Sequence, residues 1–221
     1  MYILNMLPML LVEEMKKKAD ERNRGVKVYT SLQYGLDVAL FTKFFSNRSK
    51  TAWFNWLERN IKFPDESYVK IYGKTIPVPR LRCAYGDPGT SYSFSNVTEP
   101  SQPWLKPLLS LKRIVELLSD HKYNFVLVNK YRNGKDYIGP HRDSENDLVE
   151  GSTIASISFG ASRDFVLQHT EEKKEKVVIT LNNGDILLMK SPTNKNYKHS
   201  VPARNTLNDI RYNLTFRLLR I

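Results

Sequence analysis

Cysteine is almost missing from this chain. Cys83 is the only one in 221 residues, so no intramolecular disulfide and no multi-cysteine zinc site can form, and the composition suits a reducing, intracellular compartment. There is no glycine-rich phosphate loop, no glycine-rich linker and no internal repeat, which leaves no signature of a P-loop nucleotide hydrolase or a repeat array. Long hydrophobic runs are lacking too. The most apolar stretch, "MYILNMLPMLLV" at positions 1–12, is too short to span a bilayer and contains Pro8. It also lacks the basic flank and small-residue cleavage site of a secretory signal. Residues 1–25 are therefore read as an N-terminal extension, and no membrane role is expected. Acidic residues are outnumbered: 34 Lys and Arg against 23 Asp and Glu leave a formal charge of +11. Such a surface attracts polyanions, with nucleic acid the first candidate and an anionic membrane the second.

What is present reads as one large domain after that extension, long enough to bury a sizeable core. "DVALFTKFF" and "TAWFNWLERNI" carry apolar residues at helical spacing, with Trp53, Trp56 and Leu57 on one side. "SYVKIYGKTIPVPRLRCAYGDPGTSYSFSNV" is rich in Tyr, Pro and Gly and predicts short strands with irregular connections. The helical period returns in "PWLKPLLSLKRIVELLSDH". From Asn124 onward a succession of strands follows: "NFVLVNKY", "TIASISFG", "RDFVLQH", "KVVITL", "GDILLMK" and "IRYNLTFRLL". Strands after helices predict an α+β protein with a sandwich or barrel as its β part. The charged run "EEKKEK" at 171–176 reads as a solvated hairpin loop. Matches to the N-glycosylation pattern at Asn47, Asn96 and Asn213 have no role in an intracellular protein.

With four histidines in all, each can be weighed for metal binding. His121 and His169 have no ligand-type partner at useful spacing and read as surface or loop residues. His141 and Asp143 stand two apart in "GPHRDSEND", so they can project to the same side of an extended segment, and His199 follows far downstream in "NYKHSVP". Two imidazoles and one carboxylate on one face of a metal leave the opposite positions open, as in non-haem Fe(II) oxygenases. An equally simple reading of a lone His-x-Asp pair is a chance pairing on the surface.

Near the C-terminus, "RYNLTFR" alternates Arg211, Asn213, Thr215 and Arg217 with Tyr212, Leu214 and Phe216, the period of a strand with one polar and one apolar face. An exposed strand would explain it. So would a strand whose polar face lines an anion site, because the planar guanidinium grips a carboxylate through parallel hydrogen bonds.

Taken together, "HRD", the distant His199 and "RYNLTFR" resemble the AlkB family of Fe(II)- and 2-oxoglutarate-dependent dioxygenases. That family's hallmark is His-x-Asp, then His, then Arg-x-Asn-x-Thr-x-Arg. The similarity runs from about residue 70 to the end and includes "VPRLRCAYGDPGTSYSFS", "YNFVLVNKY", "IASISFGASRDFVLQH" and "PTNKNYKHSVP". It points to the branch that repairs alkylated bases in double-stranded DNA.

The resemblance implies a double-stranded β-helix (jelly-roll) core of antiparallel strands over residues 26–221, flanked by N-terminal helices, with 68–98 as a nucleotide-recognition lid of hairpins. It implies that His141, Asp143 and His199 hold Fe(II), with 2-oxoglutarate and O2 as co-substrates. Arg211 would pair with the distal carboxylate of 2-oxoglutarate and Arg217 would lie near its iron-chelating end. Asn129, Tyr131, Asn213 and Thr215 would line the same pocket. Tyr92, Ser93 and Phe94 would touch the target base, with Phe94 stacked on it; Arg142, Ser144 and Glu145 would touch the base or its strand. Tyr92 and Phe94 can equally be alternate core residues of a strand. Tyr72, before Gly73 and Lys74, takes the place of the phenylalanine wedge of the duplex-acting branch, a departure that adds a hydroxyl in need of a polar partner. Lys70, Lys74, Arg80, Arg82 and Arg142 are candidates for phosphate contacts. The expected reaction is oxidative demethylation of 1-methyladenine or 3-methylcytosine in DNA, with the base flipped out of the duplex to be reached. RNA or single-stranded DNA is the alternative substrate, and an inactive nucleic-acid-binding module the alternative class. The resemblance further implies a monomer and a nuclear location.

Overall fold

The computed structural model describes residues 25–64, 68–71, 74–94, 97–143 and 146–221. The N-terminal extension therefore lies outside the described residues, except for Gly25. Two sheets face one another. The larger has eight strands in the order β1-β2-β14-β11-β16-β9-β5-β8, and the smaller has four in the order β10-β15-β12-β13. In the large sheet these are β1 (Val26–Ser31), β2 (Leu36–Phe41), β5 (Leu81–Gly86), β8 (Gln102–Pro103), β9 (Phe125–Tyr131), β11 (Ile154–Gly160), β14 (Ile186–Met189) and β16 (Arg211–Arg217). In the small sheet they are β10 (Ile138–His141), β12 (Arg163–His169), β13 (Lys176–Leu181) and β15 (Tyr197–Val201). Two hairpins, β3 (Tyr68–Ile71) with β4 (Lys74–Pro77) and β6 (Ser91–Phe94) with β7 (Val97–Pro100), stand apart from both sheets. They occupy the segment expected to form a lid.

The large sheet is covered on its outer face by helices. α1 (Asn47–Asn60) starts at Ser46, whose hydroxyl accepts the Ser49 N–H at 3.2 Å and satisfies one of the orphan donors of the first turn. It buries Trp53, Trp56 and Leu57 as the spacing predicts. Trp53 stacks on Phe159 of β11, with ring centroids 6.1 Å apart. α2 (Lys106–Ser119) has proline in its first turn, where the missing N–H costs nothing, and buries Leu108, Leu111, Ile114 and Val115. Its end is set by Asp120 in the left-handed region at φ 54°.

One expected helix is a strand. Residues 36–41 form β2, paired with β1 on one side and β14 on the other. Only one helix thus precedes the two hairpins among the described residues. The apolar run "LDVALF" has both faces covered, so it lacks the alternation that marks a half-exposed strand. The other strand expectations hold, as does the loop after β12, where Glu171, Glu172, Lys173 and Lys174 are exposed.

β16 lies in the middle of the large sheet, between β11 and β9. Tyr212, Leu214 and Phe216 pack in the helix-side core with Val126, Val128 and Ile157. Strand pleating then sends Arg211, Asn213, Thr215 and Arg217 the other way, toward the small sheet. That inner space is also lined by a second apolar cluster shared between the sheets, with Leu127 and Leu187 from the large one and Phe165, Leu167 and Val201 from the small one. The polar row of β16 faces the interior rather than bulk water.

Candidate metal and co-substrate site

β10 and β15 run antiparallel with His141 directly opposite His199. Cross-strand partners bring their side chains together, and the two imidazole centroids lie 4.3 Å apart. Asp143, two residues beyond His141, completes the group: each histidine Nε2 is 3.9 Å from Asp143 Oδ1. The three donor atoms lie within 4.8 Å of one another. Ligands that share a metal at about 2.1 Å sit roughly 3–4 Å apart, so the spacing suits a common cation better than direct hydrogen bonds.

The protonation pattern fits as well. His141 Nδ1 is 2.9 Å from the Gly139 carbonyl, so Nδ1 carries the proton and Nε2 keeps its lone pair for a metal. Burial pulls the pKa of His141 below its ordinary value and that of His199 down to about 3, with the neighbouring imidazole adding to the effect on His199. Both rings are neutral at neutral pH. Asp143 is pushed the opposite way from what burial alone would do: burial raises its pKa, but Arg217 and the two histidines outweigh it and hold the carboxyl well below its usual range. Two neutral nitrogen donors and one carboxylate oxygen form the donor set suited to Fe(II).

Asp143 is held by its surroundings. Arg217 Nε donates to Oδ2 at 2.8 Å and Nη2 to Oδ1 at 3.0 Å, and the Tyr92 hydroxyl donates to Oδ1 at 3.1 Å. The Arg217 guanidinium also lies over the Tyr92 ring at 4.6 Å. Tyr92, on the β6–β7 hairpin, is buried at 3 % exposure, so that hairpin reaches the metal ligand itself.

Beyond the triad, one cavity between the sheets is walled by Asn129, Tyr131, Arg211, Asn213, Thr215 and Arg217 together with Tyr92 and the three metal ligands. Arg211 is 1 % exposed. Its Nη2 donates to Ser158 Oγ at 2.9 Å and its guanidinium lies 5.2 Å over the Tyr131 ring. Nε and Nη1 have no hydrogen-bond partner among the described residues. Leaving buried cationic donors unmet costs free energy, so this end of the cavity is built for an anion. Asn213 Nδ2 donates to Ser156 Oγ at 2.7 Å, and Thr215 Oγ1 donates to Asn213 Oδ1 at 3.0 Å.

Sequence reasoning misjudged two residues here. Arg80 and Arg82, offered as phosphate contacts, are buried at 3 % and 4 % and line the cavity. Arg80 Nε donates to Asn129 Oδ1 at 2.9 Å, which leaves the Asn129 amide to act as a donor. Arg82 shares the parity of Ala84 in "RLRCA" on β5 and lies opposite Asn129, and Arg80, just before the strand, bonds the same asparagine. Ser156 and Ser158 were missed, although "IASISFG" shows them alternating with Ala155 and Ile157. Arg142 lies outside the cavity lining; it is exposed and its Nη1 donates to the Lys195 carbonyl at 2.9 Å. Tyr72, Gly73, Ser144 and Glu145 lie outside the described residues, as do the side chains of Lys70, Lys74, Ser93 and Phe94.

A two-sheet β fold with two histidines and an aspartate beside an arginine-walled cavity defines an Fe(II)- and 2-oxoglutarate-dependent oxygenase. The family model described as the 2OG-Fe(II) oxygenase superfamily matches residues 37–217. The chain is 38 % identical over 192 residues to "DNA oxidative demethylase ALKBH2" of Homo sapiens, covering 83 % of this chain and 73 % of that protein. It is also 38 % identical over 152 residues to "Alpha-ketoglutarate-dependent dioxygenase alkB homolog 3" of Rattus norvegicus, covering 65 % of this chain and 51 % of that one. A solved structure described as that of OsALKBH1 aligns with a TM-score of 0.61 at 15 % identity, over 87 % of this chain and all of that chain, which supports the fold. The chain belongs to the 2OG-Fe(II) oxygenase superfamily and, within it, to the AlkB family. It is an Fe(II)-dependent dioxygenase that uses 2-oxoglutarate and O2, with His141, Asp143 and His199 as its metal triad. Among the described residues no helix is long and apolar enough to cross a membrane.

Proposed function

We propose that this dioxygenase is a DNA oxidative demethylase that removes methyl groups from 1-methyladenine and 3-methylcytosine, acting on duplex DNA as a monomer in the nucleus. The carrying observation is the metal triad joined, through Tyr92, to a lid hairpin of a chain similar to a DNA oxidative demethylase. Residues 26–221 act as one catalytic domain, with 68–98 as its nucleotide-recognition lid.

Each group then has a task. His141, Asp143 and His199 hold Fe(II). Bound iron with 2-oxoglutarate supplies the oxidation in which one atom of O2 enters the N-methyl group and the other leaves in succinate, with loss of CO2, before the hydroxymethyl group departs as formaldehyde. Arg211 offers Nε and Nη1 to the distal carboxylate, and Asn129 and Tyr131 donate along the co-substrate, with Asn213 and Thr215 completing the wall. Arg217 and Tyr92 keep Asp143 anionic and aimed. Apolar side chains such as Ile154, Phe165 and Leu187 exclude water from the chamber.

A base inside a duplex cannot reach such a chamber, so the nucleotide is flipped. Ser93, Phe94, Arg142, Ser144 and Glu145 contact the flipped base or its strand. Tyr72, with Gly73 and Lys74, fills the gap left in the stack. The β3–β4 hairpin pairs Ile71 with Lys74; Tyr72 and Gly73 themselves lie outside the described residues.

The test is formaldehyde release from oligonucleotides that carry one methylated base. Release should require Fe(II) and 2-oxoglutarate and vanish in Asp143→Ala; persistence without iron sinks the proposal. Comparing the same lesion in duplex DNA, single-stranded DNA and RNA decides strandedness, and indifference to the duplex counts against the Tyr72 wedge. Intact metal ligands and co-substrate arginines argue against an inactive binding module.

A further inference from the structure

Asp143 is gripped from a direction that the co-substrate wall does not explain. A single turn of helix, α3 (Thr193–Asn196), immediately precedes β15. From it Asn194 makes two hydrogen bonds to the backbone of Asp143: Oδ1 accepts the Asp143 N–H at 3.0 Å, and Nδ2 donates to the Asp143 carbonyl at 3.3 Å. Only one orientation of the amide satisfies both groups. Arg142 adds a third tie to the same turn through the Lys195 carbonyl at 2.9 Å.

The turn itself is fixed from behind. Thr193 is fully buried, and its Oγ1 accepts the Asp37 N–H at 2.7 Å and donates to the Asp37 carbonyl at 3.0 Å. A hydroxyl that both accepts and donates in this way attaches α3 to β2 of the large sheet. His199 stands five residues beyond Asn194 on the same segment. One short piece of chain therefore carries one imidazole ligand, grips the backbone of the carboxylate ligand and is anchored on the opposite sheet.

We propose that Asn194 is a positioning residue of the metal site, a clamp that fixes the Asp143 backbone relative to His199. The physical reason is the weakness of the local scaffold. β10 is a four-residue edge strand whose register with β15 shifts between Ile138 and His141, so ladder bonds alone do not fix the residues that follow His141. Arg217 and Tyr92 orient the carboxylate but leave its main chain free to shift. The amide clamp removes that freedom before metal arrives, in the manner of outer-shell groups whose loss lowers metal affinity by about 10- to 100-fold.

The proposal is tested by titrating metal-free protein with Co(II) or Mn(II), with no DNA present. Asn194→Ala is expected to raise the dissociation constant about 10- to 100-fold. Asn194→Asp, which keeps the acceptor for the Asp143 N–H and loses the donor, should fall between wild type and alanine. Asn196→Ala is the control: it sits on the same turn but bonds the Tyr34 carbonyl, and it should leave metal affinity unchanged. In steady state the iron requirement should rise in Asn194→Ala while affinity for methylated DNA stays at the wild-type value, a split that general loosening of the fold would not produce. A folded Asn194→Ala protein with wild-type metal affinity overturns the assignment. Should that variant not fold, Asn194→Asp decides, and wild-type metal affinity in it is equally fatal. A wild-type protein that binds metal but spares methylated DNA would sink the demethylase reading and leave the clamp standing.

Discussion

Replacing Arg211 by methionine should separate the binding of 2-oxoglutarate from the stability of the fold, because the two respond in opposite directions. Arg211 is buried with Nε and Nη1 unmet, one bond to Ser158 and a stack on Tyr131. Burial already lowers its pKa from the ordinary value, the mark of a charge held where it is not solvated. Replacing even a paired buried charge, together with its partner, by hydrophobic side chains is often neutral or gains ~1–4 kcal/mol, and a buried charge without a counter-ion has no pairing energy to lose. Losing the Ser158 bond returns ~1 kcal/mol of that. The ligand-free Arg211→Met protein should therefore melt at or slightly above the wild-type temperature. With ligand the order reverses. Two charge-assisted hydrogen bonds to a carboxylate contribute ~1.5–3 kcal/mol each, so losing both weakens 2-oxoglutarate by about two to four orders of magnitude. At a concentration one hundred times the wild-type Kd, binding stabilises the wild type by ~2.7 kcal/mol, worth about 5–11 °C in a domain of this size. The variant, at or below its own Kd, should gain under about 2 °C. Thermal melts with Mn(II) under anaerobic conditions, with and without 2-oxoglutarate, read both effects. A ligand-free Tm well below wild type with an undiminished ligand shift would refute the reasoning and make Arg211 a structural residue.

Three further outcomes follow from the same geometry. Asp143→Ala should abolish metal binding and also destabilise the protein by ~3–5 kcal/mol, because Arg217 is left buried and unpaired; adding Arg217→Met should recover much of the loss in urea midpoints, and an additive double variant would contradict the pairing. In metal-free protein, stability should rise with pH between about 3 and 6.5, since the unfolded chain takes up a proton on His199 below its ordinary 6.5 and the folded chain only near 3; flat urea midpoints across that window would show that His199 is not buried neutral. Hydrogen exchange should find the amides of 138–143 opening faster than those of 211–217 without metal, and Co(II) should slow the first set selectively.

Much of this fold was legible because the strands announce themselves by alternation. The β16 row was read correctly as two-faced, and only its setting was open: Tyr212, Leu214 and Phe216 need a core behind them, which α1 and α2 supply. Where alternation fails, so does the reading. β2 lacks a solvent face, and its apolar run matched a helix as well as a strand. Arg80 and Arg82 misled for a different reason. Basic residues are mostly exposed, and nothing in "VPRLRCA" taken alone reveals that β5 lies beside Asn129 of β9. His141 and His199 were found through spacing and motif, but their approach to 4.3 Å is a product of strand register, which no local pattern encodes. Asn194 was missed entirely, since its partners are the backbone groups of a residue 51 positions away.

The division of labour between the two sheets explains why the site needs so many ties. The proposed co-substrate wall stands on β16, which has a full ladder on each side and helices packed against its back. The metal ligands stand on the small sheet, on a short edge strand and its neighbour, with Asp143 beyond the strand end. A rigid wall therefore faces a softer one across the cavity, and chemistry between metal and co-substrate requires their spacing to be constant. Each strong contact of Asp143 is a link across that divide: Arg217 comes from the large sheet, Tyr92 from the β6–β7 hairpin, and Asn194 from a turn whose anchor, Thr193, is bonded to β2. The carboxylate is thus the residue through which the stiffness of the large sheet reaches the metal. That is a physical reason for an arginine to be paired with a metal ligand at all, since the ion pair lowers the ligand's affinity for protons while fixing its distance from the polar face of β16.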